Sequence, residues 1–259
     1  VKVSVTDYDS NDAALAKVRA GGHGFDIVVP SASFIPIWIG EGLLLESAHV
    51  KAVIADPGEA RARSVLGFAE RCHYEVPHSR QVQELALQLF DAIGARIGCE
   101  PGERQTLSDA ALLHDVGYHI NYERHHKHSF HLITHADLLG IPPEEQVVIA
   151  HVARYHRGGE PKRKHTAWWE LDRDSREKVR RLSAILRVAD GFDRGHASAV
   201  ERIKVRWLER AIRLSPTPRR ANDPMRLELW GASRKAGLLA EVAGVPVEIV
   251  RPDGTVVLE

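Results

Sequence analysis

The sequence predicts a mainly α-helical bundle, with a small α+β subdomain at its C-terminal end and an α/β fragment at its N-terminal end. Three observations lead there. From Glu59 onward apolar residues recur at helical spacing: Val82, Leu85, Ala86, Leu89, Phe90 and Ile93 trace one stripe. After His196 the period shortens to two, the mark of strands. Ahead of Asp56 the pattern is strand–helix–strand. The expected boundaries are 1–55, 56–197 and 198–259.

Composition narrows the partners. At 259 residues the chain has length for a substantial core. Its 35 basic side chains balance 35 acidic ones, so no global field points to a nucleic-acid surface or a membrane. The surplus lies in histidine, 15 residues, several of them between His114 and His165. Cys72 and Cys99 form no C-x-x-C pair and read as buried thiols of a reducing compartment. No apolar run approaches the ~20 residues of a membrane span.

The elements follow in order. Val1–Val5 alternates as a strand, 11–20 is helical with Ser10 or Asn11 as cap, and Phe25–Val29 is a second strand, together suggesting a parallel crossover. Asp56-Pro-Gly58 is turn chemistry. Pro77 and His78 open the helix that carries the stripe. Thr106-Leu-Ser-Asp109 has the form of a capping box opening the helix that delivers His114. Pro142-Pro143-Glu144-Glu145 starts a helix running to about His156, broken by Gly158-Gly159. Residues 160–170 form a basic loop plugged by Trp168 and Trp169. A long helix from Asp172 to Ala189 ends at Asp190-Gly191. Ile203–Trp207 and Ala211–Leu214 make a hairpin, and Arg226–Trp230 a third strand. A helix near Lys235–Val242 and a strand Val245–Val250 close the chain.

The chemistry centres on Ala110-Ala-Leu-Leu-His-Asp-Val-Gly-Tyr118, where an apolar helix ends in His114 and Asp115. Two side chains so costly to bury call for a metal ion, with imidazole nitrogen and carboxylate oxygen as ligands, or for a simple helix C-terminus. His78, His128, His156 and Asp190 lie at other helix ends or beside them, in the order His … His-Asp … His … His … Asp. Lys127, Arg157 and Arg194 stand beside these positions and suit phosphate, though a solvated face explains them equally. His151 reads as a packing histidine.

This pattern resembles the HD superfamily of metal-dependent phosphohydrolases. More closely, residues 60–259 resemble the C-terminal region of the exopolyphosphatase/guanosine-pentaphosphatase (Ppx/GppA) family. The stretches that carry it are His78-Ser-Arg-Gln-Val-Gln-Glu-Leu-Ala86, Ala111-Leu-Leu-His-Asp-Val-Gly117, His126-Lys-His-Ser-Phe-His-Leu-Ile133, Ala153-Arg-Tyr-His-Arg157 and Leu186-Arg-Val-Ala-Asp-Gly-Phe-Asp-Arg194. The resemblance implies an HD-type helical bundle and one or two divalent ions (Mn, Fe, Zn or Mg). By it, His78, His114, Asp115 and Asp190 hold one ion, while His128 and His156 hold a second with Asp115 bridging. Asp115 and His114 then carry the chemistry. Phosphate-chain hydrolysis in the full-length enzymes belongs to an actin-like fold whose glycine-rich loops do not occur in this sequence, so that activity is not carried across.

Residues 1–50 resemble the first lobe of periplasmic polyamine-binding proteins, over Tyr8-Asp-Ser-Asn11, Lys17–Gly22 and Gly24–Phe34. In that family a serine like Ser31 lines the cleft, but the second lobe has no counterpart here. The expected function is a phosphohydrolase acting on a phosphate ester or nucleotide, such as a guanosine polyphosphate. The alternatives are a regulatory module that binds metal and nucleotide or polyphosphate without turnover, and a polyamine-binding fragment. The expected partner is a small phosphorylated substrate in the cytoplasm; a homodimer is allowed.

Overall fold

The computed structural model describes residues 10–20, 37–38, 57–162 and 165–257. The strands expected at Val1–Val5 and Phe25–Val29, and Ser31, lie outside the described residues. Two compact units are present: Val1–Val65 with Asp137–Ile141, and Leu66–Ala136 with Pro142–Glu259. In the first, helix α1 (Asn11–Ala20) is capped by Ser10, whose Oγ accepts from the Ala13 N–H at 3.1 Å. Helix α2 (Pro57–Arg71) begins in the first unit and ends in the second.

The second unit is mainly helical. Helix α3 (Val76–Ile93) carries the expected stripe, and Val82, Leu85, Ala86, Leu89 and Ile93 are buried along it. Burial of each larger side chain contributes roughly 1.5–3 kcal/mol. Around α3 stand α4 (Glu103–Leu113), α5 (His125–Thr134), α6 (Pro143–Tyr155) and α8 (Arg173–Gly191). A short α7 (Thr166–Trp169) buries Trp168 and leaves Trp169 exposed, with the Arg176 guanidinium 5.0 Å from its ring centre. Asp172 caps α8 by accepting from the Ser175 N–H at 2.8 Å. None of the described helices is long and apolar enough to cross a membrane.

Helix α4 departs from expectation. It starts at Glu103, three residues before the expected capping box. Thr106 and Asp109 act inside the helix instead: the Thr106 hydroxyl donates to Glu145 at 2.7 Å, and Asp109 accepts from Gln105 one turn away at 2.9 Å. Side chains with better partners are not available as caps.

The C-terminal segment is a three-stranded sheet backed by two helices. Strand β1 (Val200–Trp207) pairs antiparallel with β2 (Ile212–Pro218), with Val205 opposite Leu214 and a bulge between Val200 and Arg202. Strand β3 (Val247–Ile249) joins β2 in parallel, Ile212 opposite Val247. A parallel neighbour needs a crossover, and helices α9 (Arg226–Lys235) and α10 (Gly237–Ala243) supply it.

The strand expected over Arg226–Trp230 is therefore the first half of α9. Leu227, Leu229 and the polar residues between them imitate a period of two. The buried set is Glu228, Leu229, Gly231 and Ala232, which is a helical face. The reason is the approach of α8. A Cβ on Gly231 would lie 2.5 Å from the Gly191 carbonyl, and one on Gly191 would lie 2.7 Å from the Ala232 Cα. Only helices with small residues at the crossing pack this closely.

Candidate metal centre

The starts of α3 and α5 and the ends of α4, α6 and α8 converge on Asp115. Asp115 follows α4, in the break before a 3-10 turn over Val116–His119. That turn is pinned to α5. The Gly117 N–H donates to Ser129 Oγ at 2.9 Å, and the Ser129 hydroxyl donates to the His114 carbonyl at 2.6 Å. Nothing larger than glycine fits at Gly117, where a Cβ would stand 2.1 Å from the His125 carbonyl oxygen.

Four imidazoles surround the carboxylate, and their tautomers are set by their outer nitrogens. His114 Nδ1 faces the Ala111 carbonyl at 2.7 Å, His156 Nδ1 the Ala153 carbonyl at 2.6 Å and His125 Nδ1 the Tyr122 carbonyl at 3.0 Å. His78 Nδ1 faces Asp193 Oδ2 at 2.8 Å. Each Nδ1 is thus a donor, and each Nε2 of a neutral ring is left as a bare lone pair. All four Nε2 atoms point inward. His114 Nε2 lies 3.3 Å from His78 Nε2, and His125 Nε2 lies 3.4 Å from His156 Nε2. Asp115 Oδ1 is 3.1 Å from His125 Nε2 and 3.4 Å from His156 Nε2, while its Oδ2 is 3.5 Å from His114 and 3.6 Å from His78. Asp190 Oδ1 stands 3.6 Å from His78 Nε2.

Electrostatics sharpens the point. Burial drives His114 below its ordinary pKa and drives His156 far below, so both rings favour the neutral form. Burial also opposes ionisation of Asp115, yet its carboxyl is held well below the usual range wherever the imidazoles of His114, His125 and His156 around it carry a proton. In Asp190 the Lys235 ammonium, then His156 and His114, overcome burial in the same way. Burial disfavours the charged His78 ring, yet Asp193, Asp190 and Asp115 raise its pKa. Lone pairs and carboxylates have been gathered with too few protons among them, and Asp115 Oδ1 is buried with no hydrogen-bond donor among the described residues. The donor set fits a cation. Two trios, His78–His114–Asp190 and His114–Asp115–His156, have ligand atoms close enough together to share an ion.

Of the residues expected here, His78, His114, Asp115, His156 and Asp190 are brought together. His128 is not: it is half-buried on α5, whose inward face runs through His125, Ser129 and Ile133, and His125 occupies the place beside Asp115. Four participants were not anticipated from the sequence: His125, Asp193, Lys235 and His196. Asp193 also accepts from the Ser198 N–H at 2.8 Å, which fixes the carboxylate that orients His78. Asp193 falls one turn after Asp190, the signal that could have found it. Lys235, at the end of α9, forms a short ion pair with Asp190 Oδ2. The His196 ring stacks on His78 at 3.7 Å between centres, held by Glu75 at 2.8 Å.

A cleft of about 690 Å³ opens in front of Asp115, and Arg194 and His196 line it. Arg157 is half-buried and its charge acts on Tyr118 and His126. Lys127 is exposed and is not among the lining residues. His151 is buried away from the cluster, against Phe130 at 4.8 Å and Tyr155 at 5.9 Å.

Comparison with known proteins gives this geometry a context. Residues 60–230 match the model of the family described as Ppx/GppA phosphatase, domain III. Among similar proteins, the guanosine-5′-triphosphate,3′-diphosphate pyrophosphatase of Vibrio vulnificus is 29% identical over 102 residues, 39% of this chain and 20% of the relative. The protein of the same name from Vibrio campbellii is 29% identical over 100 residues, 38% and 20% of the two chains. That from Photobacterium profundum is 25% identical over 143 residues, 51% and 29%. The chain therefore spans less than a third of the length of these relatives.

Proposed function

Since the chain belongs to the Ppx/GppA phosphatase family, matching its domain III, we propose that its helical unit is a metal-dependent phosphohydrolase. Its substrate is a phosphate ester or nucleotide, in the direction of the guanosine polyphosphates for which the relatives are named. The observation that carries the reading is the meeting of four inward Nε2 atoms with Asp115 and Asp190. The likeness of the motifs to HD phosphohydrolases supports it.

In this reading His78, His114, Asp115 and Asp190 would hold one ion, and His125 and His156, beside Asp115, would hold a second. An imidazole-rich set suits Mn, Fe or Zn better than Mg. When bound, such ions lower the pKa of water and bind phosphoryl oxygen. The remaining residues orient and exclude. Asp193 and the Ala111 and Ala153 carbonyls fix the ring planes. Burial keeps the Tyr118 phenol protonated, a donor on the cleft wall. Arg194 on the cleft wall offsets phosphate charge.

The test is metal analysis of the purified protein beside a phosphoester screen, with Asp115→Ala as control. Metal-dependent turnover that disappears in the variant supports the proposal; full metal occupancy in the variant overturns it. A second reading, a module that binds without turnover, is favoured by Lys235, whose ammonium already occupies one oxygen of Asp190. Lys235→Met separates the two. A catalytic site needs the lysine or is indifferent to it, whereas a site held silent by it gains activity.

A further inference from the structure

We propose that the cleft in front of Asp115 selects nucleoside phosphates over inorganic phosphate chains, with Tyr122 and Trp230 as the platform for the base and Arg194 as the phosphate contact. The inference rests on the reading of the centre as a phosphoester site and adds to it the part of the substrate that lies away from the ions.

The walls of the cleft carry it. Large apolar side chains are seldom left in water in groups, yet Tyr122 is 68% exposed, Leu227 57% and Trp230 54%, and all three line this cleft. Leu227 and Trp230 sit three apart on α9, on the face opposite the one that buries Leu229 and Ala232. Neither is needed for the packing of the helix. Tyr118 and Tyr122, both in the lining, stack with ring centres 5.3 Å apart and planes 18° apart, which holds Tyr122 in place. A rigid aromatic surface with exposed faces is what a nucleobase binds.

Charge argues the same way. A phosphate chain is a hydrated polyanion whose length extends past the ions, and there it needs several Lys or Arg side chains. Among the described residues lining the cleft Arg194 is the one arginine and no lysine is present, while Glu75 and Asp115 are acidic. One guanidinium can clasp one phosphate group in two-pronged fashion. The remaining surface is suited to an uncharged ring. A volume of about 690 Å³ admits a whole nucleotide.

The experiment is equilibrium binding by calorimetry to the full chain in manganese buffer, with two probes whose terminal P–CH2–P link resists hydrolysis: guanosine 5′-(β,γ-methylene)triphosphate, checked for intactness after each titration, and the inorganic methylenediphosphonate. The nucleotide is expected to bind at least tenfold tighter. Trp230→Ala and Tyr122→Ala, both at exposed positions and checked by melting curves, should each weaken the nucleotide about tenfold and leave methylenediphosphonate within twofold. Equal affinity for the two probes, equal loss of both in the variants, or no nucleotide binding overturns the proposal. Failure of the metal centre reads out separately, as an Asp115→Ala variant that keeps its metal.

Discussion

His125 Nε2 and His156 Nε2 lie 3.4 Å apart, and each ring already donates its other N–H to a backbone carbonyl. Nitrogens this close, both turned toward Asp115, are placed to share a cation. His125→Ala should therefore cost at least half of the bound metal, and His128→Ala should leave it unchanged. Elemental analysis of the two variants after identical purification decides; the reverse order would restore His128 to the site.

Asp193 is expected to matter although it faces no ion. It accepts from His78 Nδ1 at 2.8 Å and from the Ser198 N–H at 2.8 Å. Removing such an outer partner typically weakens a metal by about 10–100-fold. Asp193→Ala should show that loss in a chelator competition, with a smaller loss for Asp193→Asn, which can still accept a hydrogen bond. Unchanged affinity in both would leave the pair a packing contact only.

Gly117 offers a steric test. A methyl group there would meet the His125 carbonyl at 2.1 Å and the Ser129 backbone nitrogen at 2.5 Å. The backbone of the turn or of α5 must move, at a cost of about 3 kcal/mol by the scale of overpacked cores. Gly117→Ala should melt several degrees lower and lose metal together with stability. A variant that melts like the parent would contradict the close approach.

His151 sets an acid limit on stability. Burial, then Arg154, lowers its pKa to about 4, with His165 adding to the effect. In the unfolded chain it titrates near ~6.5. Between those values the unfolded state binds the extra proton, so stability is complete above about pH 6.5 and declines as pH falls toward 4, by roughly 3 kcal/mol in all. His151→Phe, seated among Phe130, Tyr155 and Trp168, should flatten that part of the stability–pH curve in urea denaturation. An unaltered slope would place the acid sensitivity elsewhere.

Much of this site could be read from the chain alone because its members end or adjoin helices whose apolar stripes are strong. His114, Asp115, His156 and Asp190 follow such stripes directly, and His78 begins one. The choice between His125 and His128 could not be read. Five histidines crowd residues 125–135, and the helix opens after Arg124 in a left-handed conformation with no side-chain cap, so its phase has no marker in sequence. The third strand failed for a related reason. Leu227 and Leu229 alternate like a strand only because one of them is kept at the cleft instead of the core. The close crossing of Gly191 and Gly231, which decides the matter, joins residues distant in sequence.

That crossing has an optical consequence. With no side chain between them, α8 and α9 have little freedom to slide, so Asp190 at the end of one and Trp230 on the other share a common frame. Whatever arrives at Asp190 and displaces Lys235 acts on the same helix that carries Trp230, five residues earlier, an indole that is half in solvent. In a protein whose other four tryptophans are replaced by phenylalanine, the emission of Trp230 is expected to shift when the carboxylate changes partner, without any added label.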